Sequence, residues 1–274
     1  IATARPYSTK SAAATMNRGS TMNWDPDQYL KFLDARQRPA LDLLARLVGQ
    51  PANNIVDLGC GAGNVTRLLA GQWPQARITG IDSDSAMLDK AASSLSSITW
   101  QQADIAAWQG EQPLDLVFSN AALHWLGDHQ HLLLRLVEQL AVGGVLAVQM
   151  PANFAAPSHR ILLELAGDPG WQAAFDGVRH GAILTAAEYH ALLTPHCRHL
   201  DVWETTYFQV LDGDDGIVEW MKGTTLVPYL ARLDRQTAGH FLAAYRARLL
   251  VAYPRRADGC TLFPFKRIFF VAQR

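Results

Sequence analysis

A chain of 274 residues with a formal net charge of −1 and nearly half its residues apolar can bury a sizeable core, as one large α/β domain or as a domain with an elaborated cap. The near-neutral balance and the lack of a long basic block argue against a nucleic-acid partner, and no apolar run approaches the roughly 20 residues of a membrane span. Cys60, Cys197 and Cys260 lie far apart without a CxxC, which suits a reduced, cytoplasmic protein. His196 and His199 flank Cys197, but no second pair has zinc-ligand spacing, so no metal site is expected.

Residues 1–21 are rich in Ser, Thr and Ala, carry Arg5, Lys10 and Arg18, and contain no acid. With no apolar h-region they read as a disordered tail or leader remnant outside the fold, with Met16 and Met22 as possible native starts. A single domain is expected over 22–274. Asp25-Pro26 reads as a helix N-cap with proline at the first helical position, and Leu41, Leu44, Leu47 and Val48 mark a helix-like segment. Such a helix can cover the open edge of a cofactor crevice, with Tyr29 and Arg36 reaching in; equally, it is a surface helix whose Tyr packs on the sheet.

The apolar run Ile55 to Leu58 ends in Gly59, Gly61 and Gly63, and Val65, Leu68 and Leu69 then share a helical face. This is strand, tight turn, helix: the glycines let the backbone approach a ligand, and the turn delivers it to the positive end of a helix. Asn64 stands where a dinucleotide fingerprint needs glycine. Ala76 to Ile81 is a second strand ending at Asp82, an acid placed to accept both hydroxyls of a ribose. Ser83 to Leu95 is helical, and Met87 at its start can lie on a purine face or be core. After a third strand, Ile98 to Gln102, Asp104 and Ile105 can meet an adenine, or Asp104 can be a helix N-cap.

A fourth strand, Leu114 to Phe118, leads to Ser119, Asn120, Ala121, Ala122, Leu123, His124, Trp125 and Leu126, at the side of a parallel sheet where ligands sit. Leu132 to Leu140 is the next helix with Gly143-Gly144 as its stop, and Val145 to Met150 is a fifth strand. The alternation implies a parallel, Rossmann-like sheet covered on both faces over 22–150. Beyond Pro151 the rhythm breaks into a helical elaboration over 151–200, with helices near Ser158 to Ala166 and Ala186 to Leu193. A strand at 200–211 and a last strand at 263–272 then enclose a helical block at 213–254, placed to act as a lid.

The run Asp57-Leu-Gly-Cys-Gly-Ala-Gly-Asn64, then Gly80-Ile-Asp-Ser83 with Met87, then Ala103-Asp-Ile105, then Ser119 to Leu126 resembles the cofactor motifs of class I S-adenosylmethionine-dependent methyltransferases. Trp24-Asp-Pro with Tyr29, Leu146-Ala-Val-Gln-Met-Pro-Ala-Asn153, the segment from Trp203 through Tyr207 to Trp220, and Phe269 to Arg274 are similar to the trans-aconitate 2-methyltransferases. The resemblance covers about 22–274 and implies a class I methyltransferase sheet, mostly parallel with an antiparallel last strand, under a helical cap. It further implies a methyl ester formed on trans-aconitate or a related small polycarboxylic acid, with S-adenosylhomocysteine released. Tyr29, Arg36, Asp57, Gly59, Gly61, Asn64, Asp82, Ser83, Met87, Asp104, Ile105, Asn120 and Ala121 become expected cofactor contacts. Expected acceptor contacts are His124, Trp125, Tyr207, Trp220, Tyr229 and Arg267.

A carboxylate is already ionised near neutrality, so orientation and enclosure are expected to do the catalytic work. Only a hydroxyl or amine acceptor would call on His124 as base. A malonyl-type carboxyl on a carrier protein is another acceptor within the class, and an NAD-linked oxidoreductase or a non-catalytic cofactor-binding protein are the readings outside it. A monomer with a small-molecule partner is expected. Where the family pattern reads Thr-Gly-Leu-Arg-Pro, this chain has Thr224-Thr225-Leu226-Val227-Pro228; if that arginine grips a substrate carboxylate, Val227 cannot replace it.

Overall fold

The computed structural model describes residues 33–93, 97–178 and 180–274. The expectations placed on 1–21, on Asp25-Pro26 and on Tyr29 lie outside them. One seven-stranded sheet runs in the order β3-β2-β1-β4-β5-β7-β6. Its strands are β1 (Asn54–Leu58), β2 (Arg77–Asp82), β3 (Ile98–Gln102), β4 (Leu114–Asn120), β5 (Leu140–Pro151), β6 (His199–Asp212) and β7 (Cys260–Gln273). The first five are parallel, and β7 runs antiparallel to both β5 and β6. The chain reverses strand order between β1 and β4, which opens a crevice at the C-terminal ends of these strands.

Helix α1 (Leu33–Ala45) lies on one face of the sheet, where Leu43, Leu44 and Leu47 pack with Ile55, Phe118, Ala147 and Phe269. The same cluster takes in Leu69 of α2 (Asn64–Gln72). On the opposite face, α4 (His129–Glu138) and α7 (Ala186–Leu193) cover Val56, Leu58, Leu146, Val148 and Met150. Helix α3 (Ser85–Ala92) packs beside β2 and β3. A third core belongs to the cap: α5 (Pro157–Gly167), α6 (Gln172–Phe175), α8 (Gly216–Lys222), α9 (Val227–Leu230) and α10 (Arg235–Ala252) gather on Phe263 and Phe265 of β7.

Several local expectations are corrected. Gly143-Gly144 does not stop α4; the helix ends at Glu138, Gln139 caps it, and both glycines lie within β5. They form a bulge, where the β4 pairing jumps from Leu114↔Leu140 to Leu116↔Val145. Gly143 has φ 81°, and a Cβ on Gly144 would sit 2.6 Å from the Leu114 carbonyl. In the first segment, Leu43 takes the core position, while Leu41 and Val48 are exposed. On α2 the buried partner of Leu69 is Thr66 rather than Leu68, because the Thr66 hydroxyl is tied to a buried acid. Helix α3 starts at Ser85, since Asp84 caps it by accepting from the amides of Ala86 and Met87.

Candidate active site

The turn after β1 is built on backbone geometry. Gly59, Gly61 and Gly63 have φ of 77°, 53° and 75°, the left-handed region that side chains with a Cβ resist. A Cβ on Gly59 would lie 2.2 Å from that of Ala122, so the turn and the end of β4 touch only because this side chain is absent. The amides of Gly59 and Cys60 donate to the Ile81 carbonyl, and Asp82 accepts from Gly61 through Oδ2 and from Asp84 through Oδ1, at 2.8 and 2.9 Å. One acid at the end of β2 thus holds the turn from the side and keeps lone pairs for hydroxyl donors.

Behind the turn, Asp57 is almost completely buried and accepts from Thr66 Oγ1 at 2.6 Å. Burial raises its pKa to about 7, against the lowering effect of Thr66 and with a further rise from Asp82. Trp100 closes the floor: its ring lies where a Cβ of Gly63 or Gly80 would be. Arg67 Nη2 ties the turn to α2 by donating to the Ala62 carbonyl and to Asn64 Oδ1, each at 3.0 Å. Ser83 and Met87 flank the Asp84 cap, Asp104 Oδ1 accepts from the Ala106 amide, and Ile105 is buried 3.7 Å from that Gly59 position. Asp104 therefore behaves as a local cap and keeps its other oxygen exposed.

Past β4 the chain turns through Ala121, at φ 55°, whose amide donates to the Gln149 carbonyl. The short helix Leu123–Trp125 then carries His124 and Trp125. Its position is fixed from below. His129 Nε2 lies 2.9 Å from the Leu123 carbonyl, which can only accept, so Nδ1 accepts from the Tyr189 hydroxyl, which in turn accepts from the Leu184 amide. From above, the Ala182 amide donates to the His124 carbonyl. His124 is buried; desolvation first, then Arg267, His129 and His159, push its pKa down to about 3. Trp125 is more than a third exposed at the rim.

The register of the sheet assembles a polar row on the α1 face. Asn120 of β4 is paired with Gln149 of β5, and the next strand carries Arg267, opposite Pro151 and Thr205. Gln149 and Arg267 are buried, as is Asn153 just past β5. Asn120 Oδ1, His124 Nδ1 and both side-chain polar atoms of Gln149 and Asn153 have no hydrogen-bond partner among the described residues. Buried polar groups are normally paired, and leaving one unpaired costs about 1–3 kcal/mol. A cluster of such groups at strand ends is the candidate site for a polar ligand.

The other expected acceptor contacts are divided. The Arg267 guanidinium lies 4.4 Å from the centre of the Phe265 ring on the same strand. The Tyr207 hydroxyl is engaged by α1, donating to Asp42 Oδ2 at 2.5 Å, and Arg38 stacks on its ring. Arg36 docks α1 on the cap: Nη2 donates to the Trp220 carbonyl at 3.0 Å, and its guanidinium lies 5.2 Å from the Trp220 ring centre. Tyr229 is buried in the cap, hydrogen-bonded to His180 and lining a groove of about 250 Å³ with Leu163 and Phe175. Gln149 and Asn153 were quoted only within the run 146–153 and not as site residues, and Thr66 and Trp100 were not singled out. Besides that run, Gln149 carried a signal as the one polar side chain in Val145 to Met150.

The strand order, the glycine turn and the acid at the end of β2 define a class I methyltransferase. A model of the family described as methyltransferase domain matches residues 55–144. The chain is 51% identical over 252 residues to a protein of Azoarcus sp. (strain BH72) named trans-aconitate 2-methyltransferase, covering 92% of this chain and 99% of that one. A protein of Methylobacterium nodulans with the same name is 48% identical over 254 residues, covering 92% and 98%. The chain belongs to the trans-aconitate 2-methyltransferase family. Among solved structures, the Haemonchus contortus phosphoethanolamine N-methyltransferase 2 in complex with S-adenosylhomocysteine shares the fold with a TM-score of 0.51 at 16% identity, over 85% of this chain and 52% of that one.

Proposed function

We propose that this protein transfers a methyl group from S-adenosylmethionine to one carboxylate of trans-aconitate, giving a monomethyl ester and S-adenosylhomocysteine. The observation that carries the reading is identity of about half over nearly the full length of the Azoarcus relative. The geometry supplies the chemistry. Gly59 and Gly61 leave room for the amino-acid end of the donor, with Asp57 and Asn64 beside them; Asp82 takes the ribose, with Ser83 and Met87 adjoining; Asp104 and Ile105 border the adenine; Asn120 and Ala121 close the floor. Arg36 acts on this pocket by holding α1 to the cap. His124, Trp125 and Arg267 surround the acceptor, and Tyr207 and Trp220 brace its walls.

When bound, S-adenosylmethionine supplies an electrophilic methyl group on a positive sulfonium. A carboxylate oxygen forms the new bond to carbon as the carbon–sulfur bond breaks and its electron pair stays on sulfur, so the positive and negative charges cancel. Carboxylates have an ordinary pKa near 4 and need no base. The protein's contribution is alignment and exclusion of water, which favours a transition state less charged than the separated ions. A pKa of about 3 leaves the His124 imidazole neutral and weakly basic, which suits it to orient a carboxylate better than to deprotonate a hydroxyl or amine acceptor. We extend the reading to a cytoplasmic monomer over residues 22–274, with no nucleic-acid or membrane partner; light scattering would read a single-chain mass.

Calorimetry against S-adenosylhomocysteine and NADH, followed by a panel of di- and tricarboxylic acids with labelled S-adenosylmethionine, tests the proposal. Binding of the homocysteine product together with labelling of trans-aconitate is expected. Binding of NADH alone, or label entering only neutral acceptors, would overturn it.

A further inference from the structure

Gln149 is the least explained residue of the site. It is fully buried, and neither end of its amide is paired among the described residues. Asn120 stands beside it in the ladder, yet its Oδ1 is not bonded to the Gln149 amide either. Backbone ties set both next to the donor floor: the Ala121 amide donates to the Gln149 carbonyl, and Ala122 touches the Gly59 turn. Across the sheet from that turn, Asn120 is paired with Gln149, Gln149 faces Phe269 on β7, and Arg267 lies on the same face two residues further along, opposite Pro151. With strands about 4.8 Å apart and a rise of about 3.3 Å per residue, the Arg267 position lies roughly 12 Å from that of Asn120. The neutral amide is therefore nearer the methyl donor, and the guanidinium is farther away.

That order matches what the reaction requires. The carboxylate that attacks loses its negative charge in the transition state. A guanidinium on it would hold the ground state more strongly than the transition state and raise the barrier, whereas a neutral donor orients it at a smaller penalty. The carboxylates that do not react keep their charge throughout, so a cation on them aids binding uniformly.

Resting on the methyl transfer to trans-aconitate put forward above, we propose that the Gln149 amide holds the carboxylate that receives the methyl group, while Arg267 holds one that stays charged. Gln149 thereby selects which carboxyl is esterified. Its unpaired state in the folded chain is kept for the acceptor at a cost in stability.

Gln149→Met removes donor and acceptor at similar volume. Two results are expected together: the melting temperature rises, because an unsatisfied buried amide is replaced by apolar atoms, and kcat falls by about 10–100-fold with KM for trans-aconitate changed less than about threefold. Arg267→Gln is expected to do the reverse, raising KM by about 10-fold or more with a smaller loss of kcat. In Gln149→Asn, whose amide is withdrawn by one carbon, the ratio of the two positional monoesters should shift. A Gln149→Met protein that melts lower than the parent, one that keeps its kcat, or a Gln149→Asn protein with an unchanged isomer ratio would overturn the assignment. If the parent chain does not label trans-aconitate at all, the acceptor reading fails by itself, while the melting comparison still reports whether the Gln149 amide is unpaired.

Discussion

The two halves of the site are made of different material. The donor side, between β1, β2 and β4, is backbone: three left-handed glycines, amides closed on the Ile81 carbonyl, and an Asp82 whose oxygens each accept a main-chain hydrogen bond. The acceptor side, between β4, β5, β7 and the cap, is side chain, and many of its polar atoms have no described partner. A backbone cradle is shaped before the ligand arrives and stays satisfied without it. A cluster of buried side-chain amides stores unpaired donors and acceptors, a cost that a polar acceptor bound there would relieve. The donor half is thus expected to be rigid and general, and the acceptor half selective and less stable.

The sharpest way to break this comparison is at Gly59. Valine there combines φ 77° with a Cβ 2.2 Å from that of Ala122, and S-adenosylhomocysteine affinity should drop by more than about 100-fold in calorimetry. Retained affinity would mean that the turn is not a cradle.

Next comes Asp57. Its pKa is raised from 3.8 to about 7, so the folded chain binds a proton that the unfolded chain has lost over that interval. Apo stability from this group is greatest below about pH 4 and declines as pH rises toward 7, by up to about 4 kcal/mol. Asp57→Asn should remove that slope in denaturant melts taken from pH 4 to 8; an unaltered slope would assign it to other groups. His124 and His159, pushed down to about 3 and about 4, act oppositely: their contribution is complete above about pH 6.5 and is lost as pH falls.

Asp82→Ala should weaken S-adenosylhomocysteine binding by about 2 kcal/mol, since it removes both the ribose acceptor and the brace on Gly61. The smallest effect is expected at Arg36, whose ties between α1 and the cap include a hydrogen bond to the Trp220 carbonyl and a stack on the Trp220 ring. Arg36→Met should cost about 1–2 kcal/mol and raise KM for the acceptor more than for the donor. An equal rise in both would place α1 over the whole crevice rather than over its acceptor side.

The same contrast governs what the sequence made legible. The donor half is local: Asp57 to Asn64 is one turn, and Asp82 follows at the end of the next strand, so spacing alone conveys the geometry. The strand β3 and the helix α7 fall at the expected bounds for the same reason, each being a short periodic segment. The acceptor half depends on register between residues as distant as Asn120, Gln149 and Arg267, and no local pattern reports it. Gly143-Gly144 misled because a glycine pair after a helical run suits a helix stop and a bulge equally, and only the pairing to Leu114 and Leu116 decides between them. Tyr207 and Trp220 illustrate the other limit. Both reach the neighbourhood of the site, yet their polar or π faces are taken up by α1 through Asp42, Arg38 and Arg36.

The central claim is that an ionised carboxylate takes the methyl group without a base. The direct measurement is the alkaline lability of the product formed from methyl-labelled S-adenosylmethionine and trans-aconitate. The account predicts label in a monoester that mild alkali releases as methanol, one equivalent per acceptor. Label that survives alkali, as an ether or an amine would hold it, would contradict the account.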